Sequence, residues 1–396
     1  FFSFNATFFN SFFYFGEKSI KKVIMKKSIY IKTFGCQMND RDTEALLGLF
    51  LDRGYTIAAS PQDAGVIFVN TCSVRKHAED RAISFLGTLK KIYNENKTII
   101  GVIGCMAKYQ GRLLVERMPY LNIICSPARL YYLPEYVEKV KNFGIKIVDL
   151  DDSERPEAFY ESSFLLNKDH AQVVISTGCS NYCSYCVVPY VRGNLRLRKP
   201  QKIIEEIKKF LEKGVKKITL LGQNVNDYIY KKENIDFVKL LEKIASIKEI
   251  EQIDFITSHP KNTSQQLFKV MADYPNIKKH LHLPFQAGSD RILKLMNRGY
   301  TQKDYLLLVE DFYKIVNGSL STDVIVGFPT ESKEDFLKTK KVLETVKFKY
   351  AYIFKYSPRP NTKAAKLADD VSNSEKERRH RILLNLQKKI SSQYKS

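Results

Sequence analysis

From Ser28 onward, short apolar runs alternate with longer stretches of helical periodicity, and this alternation restricts the fold more than any other feature. Such units build βα pairs, and each helix returns the chain to the edge where the previous strand began, so the strands lie parallel. The spacing predicts strands at 29–33, 66–69, 99–103, 122–125 and 145–148, with helices from about 40 to 52, 75 to 93 and 108 to 117. Residues 26–150 therefore read as one α/β domain on a parallel sheet. The charged break 151–156 reads as a linker. Beyond it a second series begins, with strands expected at 173–176, 218–221, 253–257, 280–283, 323–326 and 352–354. Helical patterns such as 201–213 and 333–346 separate them, and a charged helix is expected over 374–389. Six strands joined by right-handed crossovers predict a partial (βα)6 barrel within residues 165–396, with its working face at the carboxyl ends of the strands.

The chain opens at Phe1 with eight phenylalanines in its first fifteen residues and no charge among them. That run falls short of the roughly 20 residues of a spanning helix and lacks the basic lead of a signal peptide. Met25-Lys26-Lys27 reads as the start, leaving residues 1–24 as a non-native or disordered extension. The alternative is an interfacial anchor. Lysine and arginine number 64 against 43 acidic residues, a net charge of +21. This favours a polyanionic partner, since each phosphate contact releases counterions, although an AT-rich coding bias would also enrich lysine. A cytoplasmic protein without membrane attachment, and a monomer, is the expectation.

Seven cysteines and no secretory signal favour reduced thiols and metal ligands over a disulfide framework. Cys179, Cys183 and Cys186 stand at gaps of four and three just after the first strand of the second series. Three thiolates in one loop can wrap a 4Fe-4S cube and leave one iron open for a substrate or cofactor. S-adenosylmethionine suits that position, because its amino and carboxylate groups can chelate the iron. The competing reading is structural zinc on Cys183, Cys186 and His170. A second trio, Cys36, Cys72 and Cys105, is scattered through the first domain, each member directly after an expected strand. Parallel strands bring such positions to one edge, where they could hold a second cluster. Otherwise they are three small buried residues. Cys125 also follows a strand and reads as packing.

The Cys-x3-Cys-x2-Cys loop ahead of six βα units resembles the radical S-adenosylmethionine superfamily. With the upstream trio, it resembles the methylthiotransferase family within it. Further strings carry the likeness in the same order: Gly222-Gln223-Asn224, Thr257-Ser258-His259-Pro260, His282-Leu283-Pro284, Ser321-Thr322-Asp323, Val326-Gly327-Phe328-Pro329 and Tyr356-Ser357-Pro358-Arg359-Pro360. The strings around Cys36 and Cys72, and Leu221 to Asn226, point to the members that act on isopentenyladenosine in tRNA rather than on a ribosomal-protein aspartate or threonylcarbamoyl-adenosine.

The resemblance implies two 4Fe-4S clusters, one on each cysteine trio, and S-adenosyl-L-methionine. Tyr185 would lie against the adenosyl group, with Gly222, Gln223, Asn224 and Asp323 turned towards the cofactor. A radical made at the Cys179, Cys183 and Cys186 site would take hydrogen from C2 of N6-isopentenyladenosine at position 37, next to the anticodon of tRNA. A second S-adenosylmethionine would methylate sulfur held at the other site. The radical must meet C2 at roughly 3–3.5 Å with water kept away. A reductant such as flavodoxin or ferredoxin is implied; the alternatives are the same chemistry on another acceptor, threonylcarbamoyl-adenosine in tRNA or a ribosomal-protein aspartate, and a truncated, inactive iron–sulfur RNA-binding relic. The family usually continues into a small RNA-binding β-barrel (TRAM), expected here to be absent, because the gene is reduced or the sequence is a fragment. The grip on tRNA would then fall to basic residues such as Arg192, Arg196, Arg198 and Lys199.

Overall fold

The computed structural model describes residues 12–14, 26–73, 76–96, 98–162 and 164–394. The chain divides into two units, one of residues 1–166 with Tyr190–Gly193, the other of Asn167–Pro189 with Asn194–Ser396. Apart from Phe12–Tyr14, the expectation for residues 1–24 lies outside the described residues.

The first unit is built on a seven-stranded sheet: β1 (Phe12–Tyr14), β2 (Ser28–Phe34), β3 (Thr56–Ile57), β4 (Val66–Thr71), β5 (Ile99–Gly104), β6 (Ile123–Cys125) and β7 (Lys146–Asp149). Their order is β1-β7-β6-β5-β4-β2-β3, parallel throughout except where β1 runs antiparallel along β7. Between strands run α1 (Gln37–Leu51), α2 (Lys76–Asn96), α3 (Cys105–Arg117) and α4 (Leu133–Phe143). β4 and β5 are buried along their whole length, which explains why they are continuous apolar runs rather than alternating ones. Ile67 and Val69 join Leu86, Leu89, Met106 and Leu114 in one core cluster, beneath α2 and α3. Phe68 points to the other face, its ring 6.0 Å from that of Phe50 in α1. Gly101 is required there, since a Cβ would stand 2.6 Å from the Phe68 ring.

In the second unit all six expected strands are present, starting with β8 (His170–Val174). Gln252–Ile256, Lys217–Leu221 and β8 form one parallel sheet; His280–His282, Ser319–Val326 and Tyr350–Lys355 form another. A parallel bridge between Ile253 and Ile277 joins the sequence of strands at the break. This is the open, partial barrel. The tail helix Asn373–Ser392 closes along the last strands, where Arg379 pairs with Glu331 at 2.6 Å and Gln387 donates to the Phe348 carbonyl. Among the described residues, no helix is long and apolar enough to cross a membrane.

Candidate iron–sulfur and cofactor sites

In the first unit the register of the sheet sets the cysteines side by side. Phe34 pairs with Thr71, and Thr71 with Gly104, so three neighbouring strands end level with one another. Cys72 and Cys105 follow directly, and Cys36 two residues after Phe34. The helices start sooner than the apolar pattern suggested. Cys36 is the N-cap of α1, and Cys105 is the first residue of α3. Gly104 makes the second start possible with φ +90; a side chain there would meet Asn70 and the Thr71 carbonyl at 2.6 Å. Helix N-termini favour the thiolate form.

Two buried amides lock this edge. Asn39 accepts from the Cys36 N–H and thiol, both at 3.3 Å, and donates to Asn70 at 3.0 Å. Asn70 donates back to the Asn39 carbonyl at 2.9 Å and to Thr43 at 3.0 Å. A hydrogen bond with Cys72, then the charge of Arg192, hold the Cys36 thiol down at about 6 despite desolvation. Burial pushes Cys105 up, with Arg192 working against it. Cys125 is fully buried within β6, its thiol pushed well up by burial, as packing requires.

Arg192, grouped with this unit, donates Nε–H to Cys105 Sγ at 3.3 Å and an Nη2–H to Asp42 at 3.0 Å. Asp42 also receives Arg155 at 2.6 Å. Burial alone would raise the Asp42 carboxyl, but the two guanidinium groups hold it below the usual carboxylate range. Arg192 is thus committed internally and is not a phosphate ligand. Arg198, in the other unit, is likewise buried in an ion pair with Glu206.

In the second unit Cys179, Cys183 and Cys186 lie in the loop after β8 and Ser176–Thr177. Gln223 accepts from the Gly178 N–H at 2.6 Å, and Asn297 donates to the carbonyls of Asn181 and Tyr182 at 3.1 and 3.0 Å. Gln223 therefore fastens the cysteine loop. Cys183 Sγ lies 3.4 Å from Arg298 Nη1 and 4.0 Å from His259 Nε2. His259 Nδ1 accepts from the Lys261 N–H, so the neutral ring carries its proton on the nitrogen facing the sulfur. Burial, then Arg298 and Lys261, hold that imidazole down at about 2. Burial and the neighbouring Cys183 push Cys186 up to about 12.

Tyr185 is half-buried against a cluster that includes Met296, Phe328 and Tyr356, its hydroxyl 3.4 Å from Arg298. Asp323 is half-buried, 3.5 Å from His282 Nε2. Neither Asp42 nor Arg298 was anticipated from the sequence, and neither was the hydrogen bond of His259 to cysteine. His170 sits at the far end of β8 from the cysteine loop and bonds Thr219 at 2.7 Å, which removes the zinc reading. Among the described residues, no three His, Cys, Asp or Glu side chains are grouped to chelate one metal ion.

The residues present suit a polar cofactor beside the cysteine loop. Ser176 Oγ, Asn224 Oδ1 and Ser258 Oγ are buried with no partner, at the carboxyl ends of three adjacent strands. Gly222 lets these groups converge, for its Cβ would stand 2.6 Å from Ser176 Oγ. Thr257, β-branched yet at φ +75, is strained at the same strand ends, where backbone strain marks working sites.

A partial parallel barrel with three cysteines in its first loop is the architecture of the radical SAM superfamily, whose family model matches residues 173–343. Residues 28–126 match the family described as Uncharacterized protein family UPF0004. The chain is 41% identical over 368 residues to tRNA-2-methylthio-N(6)-dimethylallyladenosine synthase of Hydrogenobaculum sp. (strain Y04AAS1), covering 92% of this chain and 84% of that protein. It is 42% identical over 366 residues to the synthase of Sulfurihydrogenibium sp. (strain YO3AOP1), covering 91% and 84%. Among solved structures, it matches the radical S-adenosylmethionine methyltransferase TsrM from Kitasatospora setae with a TM-score of 0.61 at 12% identity, over 86% of this chain and 77% of that one. That likeness is one of fold. The chain belongs to the tRNA-2-methylthio-N(6)-dimethylallyladenosine synthase family of radical SAM methylthiotransferases. Membership brings S-adenosylmethionine and a 4Fe-4S cluster.

Proposed function

We propose that this protein adds a methylthio group to C2 of N6-isopentenyladenosine at position 37 of tRNA. It would work in the cytoplasm as a monomer, with an external reductant such as flavodoxin or ferredoxin. One observation carries the reading: the thiols form two sets in different units, each at the carboxyl ends of parallel strands. Cys179, Cys183 and Cys186 hold the first 4Fe-4S cluster; Cys36, Cys72 and Cys105 hold a second.

Bound in the barrel, the first cluster and S-adenosylmethionine would supply a 5′-deoxyadenosyl radical, with one electron from the external reductant and methionine as the leaving group. The protein's own share is orientation. Gln223 and Asn297 fix the cysteine loop, while Arg298 and His259 direct N–H groups at Cys183. Gly222, Asn224 and Ser258 line the cofactor's polar edge, Tyr185 offers an aromatic face to its adenosyl group, and Asp323 turns towards it from within Ser319–Val326, beside His282. In the first unit, Asn39 and Asn70 hold the strand ends on which the second set sits.

Two measurements test this. Disrupting the gene should remove the 2-methylthio group from tRNA nucleoside digests and leave the isopentenyl group. Unchanged tRNA with loss of methylthio-aspartate from a ribosomal protein would overturn the assignment of substrate. In anaerobically prepared protein, Cys36→Ala and Cys183→Ala should each lose about half the iron, as two independent clusters require.

A further inference from the structure

Arg192 puts a cationic side chain in hydrogen-bond contact with a sulfur of the first set, that of Cys105. We propose that Arg192 is a positioning residue for the cluster of Cys36, Cys72 and Cys105, setting its reduction potential and retaining its iron through the hydrogen bond to Cys105. The proposal rests on the second cluster proposed above.

The geometry is that of an outer hydrogen-bond shell around metal ligands. Arg192 spends Nε–H on the cysteine sulfur and Nη2–H on Asp42, so its plane is fixed from two sides. Asp42 is itself fixed by Arg155, which also donates to the Pro127 carbonyl and lies 4.3 Å over the Phe159 ring. All three charged side chains are buried, with side-chain exposures of 4% for Arg192, 6% for Arg155 and 0% for Asp42. Arg192 thus brings a buried positive charge directly to a cysteine sulfur.

That positive charge faces sulfurs on which negative charge would gather. Three thiolates on a cluster supply it, and each electron the cluster accepts adds more. A guanidinium N–H on a ligand sulfur stabilises the electron-rich state, so it raises the reduction potential; hydrogen bonds to the sulfurs and local charge are the protein's main means of setting that potential. Arginine suits the position because its fork can serve Cys105 and Asp42 together, which an ammonium on a flexible stem does less well.

The test uses the full chain carrying Cys179→Ala, Cys183→Ala and Cys186→Ala, so that any remaining iron belongs to the first set. In this parent, Arg192→Lys keeps the charge, Arg192→Gln keeps only a neutral donor, and Arg192→Met keeps neither. Asp42 retains Arg155 in every variant, so no buried carboxylate is stranded. An EPR-monitored redox titration should give midpoints that fall in the order parent, Lys, Gln, Met. Iron release to a chelator should quicken on the order of ten-fold in the Met variant and be largely restored by Lys. A purely structural role would alter melting and iron loading without ordering the midpoints by charge. Iron-loaded variants with the parent's midpoint and release rate would overturn the role of Arg192 alone. A parent that takes up no iron would remove the second cluster, and the proposal with it.

Discussion

The two cysteine sites solve the same problem with opposite charge arrangements. In the first unit, the guanidinium on Cys105 is balanced by Asp42, and the most accessible thiol, Cys36, is held down at about 6. In the barrel, Arg298 donates to Cys183, the Pro284 carbonyl, Tyr185 and Tyr300, and no carboxylate pairs with it among the described residues. There Cys186 is pushed up to about 12. Deprotonated thiols are the ligands, so Cys36 meets incoming metal already as a thiolate near neutral pH, whereas Cys105 beside it and Cys186 in the barrel give up a proton to the iron. The unpaired guanidinium also suits a site whose cofactor brings its own carboxylate.

The comparison breaks most sharply at the ligands. Cys183→Ala should abolish cleavage of S-adenosylmethionine by reduced protein. Cys36→Ala should leave that cleavage measurable while removing the methylthio product. Equal loss of cleavage in both would mean that the sites do not divide the chemistry. Next comes Asp42→Asn. It leaves Arg155 and Arg192 buried without their anion, and should cost about 3–5 kcal/mol in a denaturant melt. Gln223→Ala should cost about 1–3 kcal/mol, because the buried Gly178 N–H loses its acceptor.

The smallest effect is one of pH. In metal-free protein Cys36 has a folded pKa below that of an unfolded thiol. Its contribution to stability is therefore present above the unfolded value, near 8.5, and is lost as pH falls through about 6. Alkylation of Cys36 by iodoacetamide should accordingly slow as pH drops below about 6. Cys186 should remain unreactive across the neutral range. Equal alkylation of both at pH 7 would erase the contrast.

Much of this was legible in the sequence because the cysteines sit at positions fixed by local pattern. Each of the first set closely follows an expected strand, and the register of parallel strands does the rest. Asn39 and Asn70 lie inside strings already conspicuous for their cysteines. The charged supports were not legible. Asp42 meets Arg155 across 113 residues and Arg192 across 150, and Arg298 reaches Cys183 across 115. No periodicity links such positions; each looks like an ordinary surface charge until the chain is folded. Arg192 and Arg198 show the same limit from the other side, since a run of basic residues that read as a patch for phosphate is partly interior. The helix starts at Cys36 and Cys105 were also missed, because neither carries the Ser, Thr, Asp or Asn that usually announces a helix.

Arg192 also bears on how the gene can be cut. The first unit is not one contiguous stretch of chain; it is completed by Tyr190–Gly193, which the reading frame encodes only after the cysteine loop of the second. A recombinant fragment ending at Leu166 would carry Asp42 and Arg155 but lack the guanidinium that reaches Cys105. A front half grafted onto another back half would therefore depend on the recipient for the arginine that Asp42 and Cys105 both require.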